Sequence, residues 1–113
     1  MSKDYKEISK STLEYRQKLS ALIPGQFASA DAAAQAAFEN GVLGSKTKEL
    51  IAFALAVNAR CDGCIAAHAR KLHVLGASRQ EVAEALGVSI AMGGGPSVSS
   101  AADALRAFDQ FAG

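Results

Sequence analysis

The stretch ELIAFALAVNARCDGCIAAH, residues 49–68, determines the fold class. Its first half contains eight consecutive apolar residues, Leu50 to Val57, which predict a helix buried on most sides. This run is far shorter than the roughly 20 apolar residues of a membrane-spanning helix. A further helix is predicted from Cys61 to about Leu75, where Gly76 has the position of a helix-ending glycine. The chain as a whole has 24 alanines, only two prolines and no run of strand-like alternation, and together with these two helices this indicates an all-α protein.

The flanking sequence continues the helical pattern. In the first helix, Tyr5, Ile8, Tyr15, Leu19 and Leu22 form an apolar stripe, so both tyrosines are predicted to pack inside the protein. Pro24-Gly25 ends that helix, and an alanine-rich helix follows. Ser45 is a predicted N-cap, and Ser78 begins a capping box. In total we predict six helices, over residues 3–22, 27–40, 45–59, 61–75, 78–92 and 96–111.

Composition limits the class of protein. The chain has 113 residues, of which 50% are hydrophobic and 20% charged, so we predict one globular domain over residues 1–113. Its formal charge is +1 and it has no basic stripe, which argues against nucleic-acid binding. The polar start MSKDYKEISK lacks the apolar segment of a signal peptide. With no membrane segment expected either, we predict a cytoplasmic protein. The 24 alanines and the apolar third helix favour a homo-oligomer.

The reactive side chains are concentrated at the start of the fourth helix. Cys61 and Cys64 form a C-x-x-C pair, and His68 follows Cys64 by four residues. At 100° per residue these three side chains share one helix face. A thiol near a helix N-terminus commonly has a lowered pKa, and the imidazole can take its proton. The pattern predicts a redox-active dithiol.

Glu49 is the candidate partner of that histidine. If the third and fourth helices form an antiparallel hairpin, Glu49 lies about 15 Å and His68 about 10 Å from the turn, within reach of each other. The predicted order is then Glu49 to His68 to Cys64, a carboxylate orienting an imidazole that serves a thiol. The alternative is that Glu49 is an exposed residue in the first part of its helix.

Other chemistries are less well supported. A zinc site needs a fourth ligand, and His73 points to the opposite side of the helix, so Glu49 or a second chain would have to complete it. Plain buried thiols remain possible. Haem attachment needs a histidine where Ile65 stands, and a thioredoxin-like motif needs strands. Gly93 to Gly95 lack the rest of a phosphate loop and indicate a turn with tight helix packing.

The combined pattern of Glu49, Cys61, Cys64 and His68 resembles the alkylhydroperoxidase D-like branch of the carboxymuconolactone decarboxylase family. The likeness extends over about residues 45 to 112. It implies an all-α fold that assembles as homotrimers or homohexamers, and a peroxidase that needs no cofactor beyond its cysteine pair. Its partners would be a hydroperoxide substrate and a dithiol reductant, either a protein or a small thiol.

The resemblance also implies a role for each site residue. Cys64 attacks the peroxide and becomes a sulfenic acid, Cys61 resolves it as a disulfide, and His68 and Glu49 relay protons. One position departs from the family pattern, because well-studied peroxidase members carry a histidine where this sequence has Gly63. The rival hypotheses are a general disulfide reductase or redox sensor, and a non-enzymatic helical assembly with a structural or zinc-binding Cys/His cluster.

Overall fold

The computed structural model describes residues 2–113 and confirms the all-α prediction. Over that range the chain forms six helices and no strand. The helices are α1 (Tyr5–Leu22), α2 (Pro24–Phe38), α3 (Ser45–Ala59), α4 (Asp62–Val74), α5 (Arg79–Gly93) and α6 (Gly95–Phe111). None of them is long and apolar enough to cross a membrane, among the residues that the structure describes.

Helix boundaries follow the predicted signals at most ends. Ser78 and Glu81 form the predicted capping box at the start of α5. Gly76 has a φ of 76°, the left-handed conformation that ends α4. Pro96 lies in the first turn of α6, where its missing N–H leaves no hydrogen bond unmade.

Four predicted boundaries, in three helices, are wrong in detail. Helix α2 begins at Pro24 rather than Phe27 and ends at Phe38 rather than residue 40, because proline is well suited to a helix's first position. Ser45 is the first residue of α3 and not its N-cap. Its N–H is satisfied instead by the side-chain oxygen of Asn40, at 2.7 Å. Helix α4 begins at Asp62, and Cys61 is its N-cap.

The core lies between the last four helices. Phe53 and Val57 of α3, Leu72 of α4 and Val82 of α5 are fully buried, and alanines of α6 allow these helices to approach closely. Tyr5 is the only buried residue of α1, and α2 contributes none. The body of the protein is therefore α3 to α6, with α1 and α2 lying outside it.

Much of the predicted apolar stripe of α1 is not buried within this chain. Tyr5 is fully buried, but Tyr15 is 65% and Leu22 78% exposed, so the prediction that both tyrosines pack inside is wrong for Tyr15. Helix α3 is likewise buried on one side only, since Leu55 is 65% exposed. Within one chain, neighbouring helices cover only one face of α1 and one face of α3.

Candidate active site

The site is built on the α3–α4 hairpin. Helix α3 ends at Ala59 and is capped by Arg60, whose φ of 53° lies in the left-handed region, and the Cys61 N–H donates to the Ala56 carbonyl. Only Arg60 and Cys61 separate the two helices. A connection this short returns α4 directly alongside α3, as the hairpin hypothesis required.

Glu49 and His68 meet across this hairpin. The distance from His68 Nδ1 to Glu49 Oε2 is 2.6 Å, and the side chains are 24% and 6% exposed. The predicted contact is confirmed, and the alternative of an exposed Glu49 is wrong. A carboxylate this deeply buried depends on such a partner, because an unpaired buried charge is costly.

This hydrogen bond also orients the imidazole. With Nδ1–H donating to Glu49, the lone pair of the neutral ring is on Nε2, which is then free to accept a proton. The Phe38 ring lies 5.6 Å from the imidazole, centroid to centroid, and restricts its position from the α2 side. The contacts with Glu49 and Phe38 therefore fix the orientation of the His68 ring.

The two cysteine sulfurs have different environments. Cys61 is half-buried, and its Sγ accepts a hydrogen bond of 3.2 Å from the Cys64 backbone N–H. It therefore occupies the N-cap position, where orphan amides and the helix dipole favour negative charge. Cys64 is exposed, one helical turn from His68.

The expectation of a lowered thiol pKa is wrong for Cys64. Partial burial raises the pKa of this thiol to about 11, and the adjacent Cys61 sulfur adds to the rise. Cys64 is thus held as a thiol at neutral pH and needs a base to become nucleophilic.

A network from the N-terminus holds Asp62, the residue after Cys61. The Tyr5 hydroxyl donates to Asp62 Oδ1 at 3.1 Å, and the Lys3 ammonium binds the same carboxylate at 3.0 Å. Burial, with the nearby charge of Asp103, raises the pKa of the Tyr5 phenol, so it remains a donor. The Tyr5 N–H in turn donates to Gln110 of α6. This network attaches α1 to the start of α4, and nothing in the local sequence predicted it.

Helix α1 also limits the size of the side chain at position 63, between the two cysteines. A β-carbon added at Gly63 would lie 3.2 Å from the Thr12 methyl group and 3.4 Å from its hydroxyl oxygen. Thr12 therefore occupies the space over position 63, where the resembled peroxidases carry a histidine. The glycine at position 63, where the family pattern has histidine, thus coincides with a threonine on α1 that fills the adjacent space.

A cleft opens over the dithiol. It has a volume of about 510 Å³ and is bounded by α1, α2 and the first half of α4. Its lining includes Cys61, Cys64 and His68, with Leu13 and Phe38 on the facing helices. A small organic molecule in this cleft has direct access to Cys64, since that residue is exposed.

The other sequence candidates lie outside the site. His73 Nε2 is within hydrogen-bond distance of the Phe108 carbonyl, and its ring stacks on Phe108 at 3.8 Å. Within residues 2–113, no three His, Cys, Asp or Glu side chains form a group that could hold a metal. The zinc hypothesis therefore gains no support from the geometry. A β-carbon at Gly93 would meet the Ser97 side chain, as expected for tight helix packing.

The fold and site define an all-helical protein with a C-x-x-C dithiol beside a carboxylate–imidazole pair. The chain belongs to the carboxymuconolactone decarboxylase family, whose sequence profile matches residues 24–107. The structure of apo-lpg0406, a protein of this family from Legionella pneumophila, is 43% identical, with a TM-score of 0.94 over 96% of this chain and 97% of that one.

Two further proteins are similar to this chain. A Thermotoga maritima protein of the family, described as possibly involved in antioxidative response, is 28% identical, with a TM-score of 0.77 over 94% of this chain and 90% of that one. An uncharacterised protein of Cupriavidus necator is 44% identical over 75 residues, and the alignment covers 66% of each chain. The chain thus matches slightly less than two thirds of that relative's length.

The raised pKa of Cys64 leads to a prediction about its reactivity. In the reduced protein, alkylation of Cys64 by iodoacetamide should accelerate with pH up to about 11. The Cys61→Ala variant lacks the sulfur next to Cys64. In this variant the midpoint of the pH dependence of Cys64 alkylation should move to lower pH, and alkylation at pH 8 should be faster. Mass spectrometry of quenched samples measures both rates. An unchanged midpoint would show that Cys61 does not act on Cys64.

The packing of Thr12 over Gly63 can be measured by a double-mutant cycle. Gly63→Ala brings the higher helix propensity of alanine but places its methyl group against Thr12. Thr12→Ala removes the opposing atoms. Urea denaturation of the four proteins gives the change in the free energy of unfolding that Gly63→Ala causes in each background. We expect this change to be more favourable by roughly 0.5–1 kcal/mol in the Thr12→Ala background than in the wild-type background. Additive effects would show that α1 does not constrain position 63.

Proposed function

We propose that this protein is a thiol-dependent peroxidase of the alkylhydroperoxidase D-like branch, with Cys64 as nucleophile and Cys61 as resolving thiol. The observation that carries the proposal is the hydrogen bond between Glu49 of α3 and His68 of α4, the helix that contains Cys64 and has Cys61 as its N-cap. It supplies a base, one turn from Cys64, for a thiol that does not ionise unaided near neutral pH.

The first half of the reaction oxidises Cys64. His68 takes the thiol proton, and the charge of Glu49 stabilises the imidazolium that forms. The thiolate attacks the terminal oxygen of the hydroperoxide, so an S–O bond forms as the O–O bond breaks. The leaving alkoxide takes the proton from His68 and departs as an alcohol. Cys64 is left as a sulfenic acid and His68 is neutral again.

The second half returns the site to its reduced state. The Cys61 sulfur attacks the Cys64 sulfenic sulfur, the S–O bond breaks, and the hydroxyl leaves as water with the proton of the Cys61 thiol. An external dithiol then reduces the disulfide by exchange, giving up two electrons and two protons. The exposure of Cys64 supports this step, because the incoming thiol must reach one of the two sulfurs.

A second candidate function keeps the dithiol but changes its substrate. The protein then acts as a disulfide reductase or redox sensor. Gly63, with Thr12 above it, favours this alternative, because the resembled peroxidases carry a histidine at that position. Faster reaction of the reduced protein with small disulfides than with hydroperoxides would support it.

The exposed apolar side chains support assembly into a homotrimer or homohexamer. Leu22 and Met92 are 78% and 80% exposed, and Leu55 is 65% exposed. Exposure on this scale favours burial against further copies of the chain. Sedimentation equilibrium distinguishes the two assemblies, and a monomer would contradict both. The chemistry further requires a compartment that keeps dithiols reduced, so we propose the cytoplasm.

The central test counts free thiols after exposure to a slight excess of organic hydroperoxide. The wild-type protein, shown by assay to be free of zinc, should fall from two thiols per chain to none and recover with a dithiol. Cys64→Ser should lose peroxide consumption entirely. Cys61→Ser should allow one oxidation, trapped as a sulfenic acid, without disulfide formation. Full peroxidase activity in Cys64→Ser would show that the assignment of the nucleophile is wrong.

The same assay tests the proton relay. In Glu49→Gln the side chain can still accept from Nδ1–H but no longer stabilises the imidazolium. We expect the rate of sulfenic acid formation at pH 7 to fall about ten- to a hundredfold. The difference from wild type should narrow at high pH, where Cys64 ionises without a base. Glu7→Gln, an exposed carboxylate of α1, serves as the charge-matched control. Equal rates in the two variants would exclude Glu49 from the relay.

A further inference from the structure

The cleft over Cys64 combines an apolar wall with positive charge. Leu13, Ala34 and Phe38 form part of its α1 and α2 sides. Two arginines, Arg16 and Arg70, belong to its lining, and the lining includes no aspartate or glutamate. This combination favours a ligand that has both an apolar chain and an anionic group.

The two arginines differ in whether an acidic side chain pairs with their charge. The Arg16 guanidinium is 2.5 Å from Asp31 and lies over the Phe27 ring, so its charge is already partnered inside the chain. Arg70 forms no ion pair in the part of the chain that the structure describes. The free positive charge of the cleft is therefore that of Arg70.

The position and the chemistry of Arg70 determine how long the ligand must be and which anionic group fits best. It follows Cys64 by six residues on α4, about 9 Å along the helix axis. At about 100° per residue, Arg70 also lies about 120° around the helix from Cys64. A ligand whose reactive end meets Cys64 while its anionic end meets Arg70 must therefore span more than that axial distance through the cleft. A planar guanidinium binds a carboxylate with two parallel hydrogen bonds, which makes a carboxylate the best-fitting anion.

We propose that the preferred substrate is an amphipathic hydroperoxide with a carboxylate at the far end of an apolar chain, and that Arg70 binds this carboxylate. The apolar chain lies against Leu13 and Phe38, and the peroxide oxygens are presented to Cys64. This inference rests on the proposed peroxidase function, and the redox step is the one described for it.

The first experiment measures binding without any redox reaction. The reduced, nitrogen-15-labelled protein is titrated with octanoate and, separately, with its uncharged methyl ester. We expect octanoate to bind more tightly and to shift the amide signals of the cleft residues. Arg70→Gln should weaken octanoate binding about tenfold or more. Lys10→Gln, which removes one positive charge from an exposed site on α1 outside the cleft lining, should bind octanoate as the wild type does.

The second experiment measures kcat/KM for a fatty acid hydroperoxide and for its methyl ester. The wild type should prefer the acid by about tenfold, and Arg70→Gln should bring the acid-to-ester ratio towards one, while Lys10→Gln keeps the preference. Equal octanoate affinity in wild type and Arg70→Gln would overturn the inference, as would an acid-to-ester ratio that Arg70→Gln leaves unchanged.

The two proposals fail in different ways. Arg70-dependent binding of octanoate in a protein whose thiols do not react with any hydroperoxide would disprove the peroxidase function and retain the carboxylate site. Rapid reaction with small neutral hydroperoxides, without any effect of Arg70→Gln on octanoate binding, would disprove the carboxylate site and retain the peroxidase.

Discussion

The hydrogen bond between Glu49 and His68 is the constraint on which the rest of the site depends. A carboxylate that is only 6% exposed has lost most of its water, and the free energy of leaving it unpaired amounts to several kcal/mol. The hairpin must therefore fold with His68 opposite Glu49. A shift of one residue along α4 would rotate the imidazole by 100° and move it by about 1.5 Å. By fixing this register, the pair also fixes where Cys61 and Cys64 lie.

The C-x-x-C spacing places the two sulfurs in different environments within one helical turn. Cys61 precedes the first residue of α4 and receives the N–H of Cys64, whereas Cys64 lies inside the helix and faces the cleft. The backbone N–H at the helix N-terminus is thus directed at the Cys61 sulfur and not at that of Cys64. In the proposed peroxidase, the raised pKa of Cys64 makes its activation depend on His68 and, through it, on Glu49. The pair that sets the register would in that reaction also be the source of reactivity.

The sequence predicted the parts of this arrangement that depend on local geometry. Glu49 and His68 could be placed opposite each other because the helical rise is constant and the connection between α3 and α4 is short. The capping box at Ser78 and the glycine at position 76 are local signals of the same kind. The bond from Tyr5 to Asp62 could not be found in this way, since it joins residues 57 positions apart. It depends on the path of α1 across α4, for which the chain carries no local signal.

That path accounts for the departure from the family pattern at Gly63. Lys3 and Tyr5 attach the beginning of α1 to Asp62, and Thr12 lies seven residues further, about 10 Å along the same helix. The anchor therefore fixes the height of Thr12 above Gly63, and a β-carbon at position 63 would require the Thr12 side chain to move slightly. A larger side chain at position 63 would compete with Thr12 for the space beside the cleft. Thr12 lies over position 63, where the resembled peroxidases have an additional imidazole. In the proposed peroxidase, proton transfer therefore depends on His68, and the shape of the cleft decides which molecules reach Cys64.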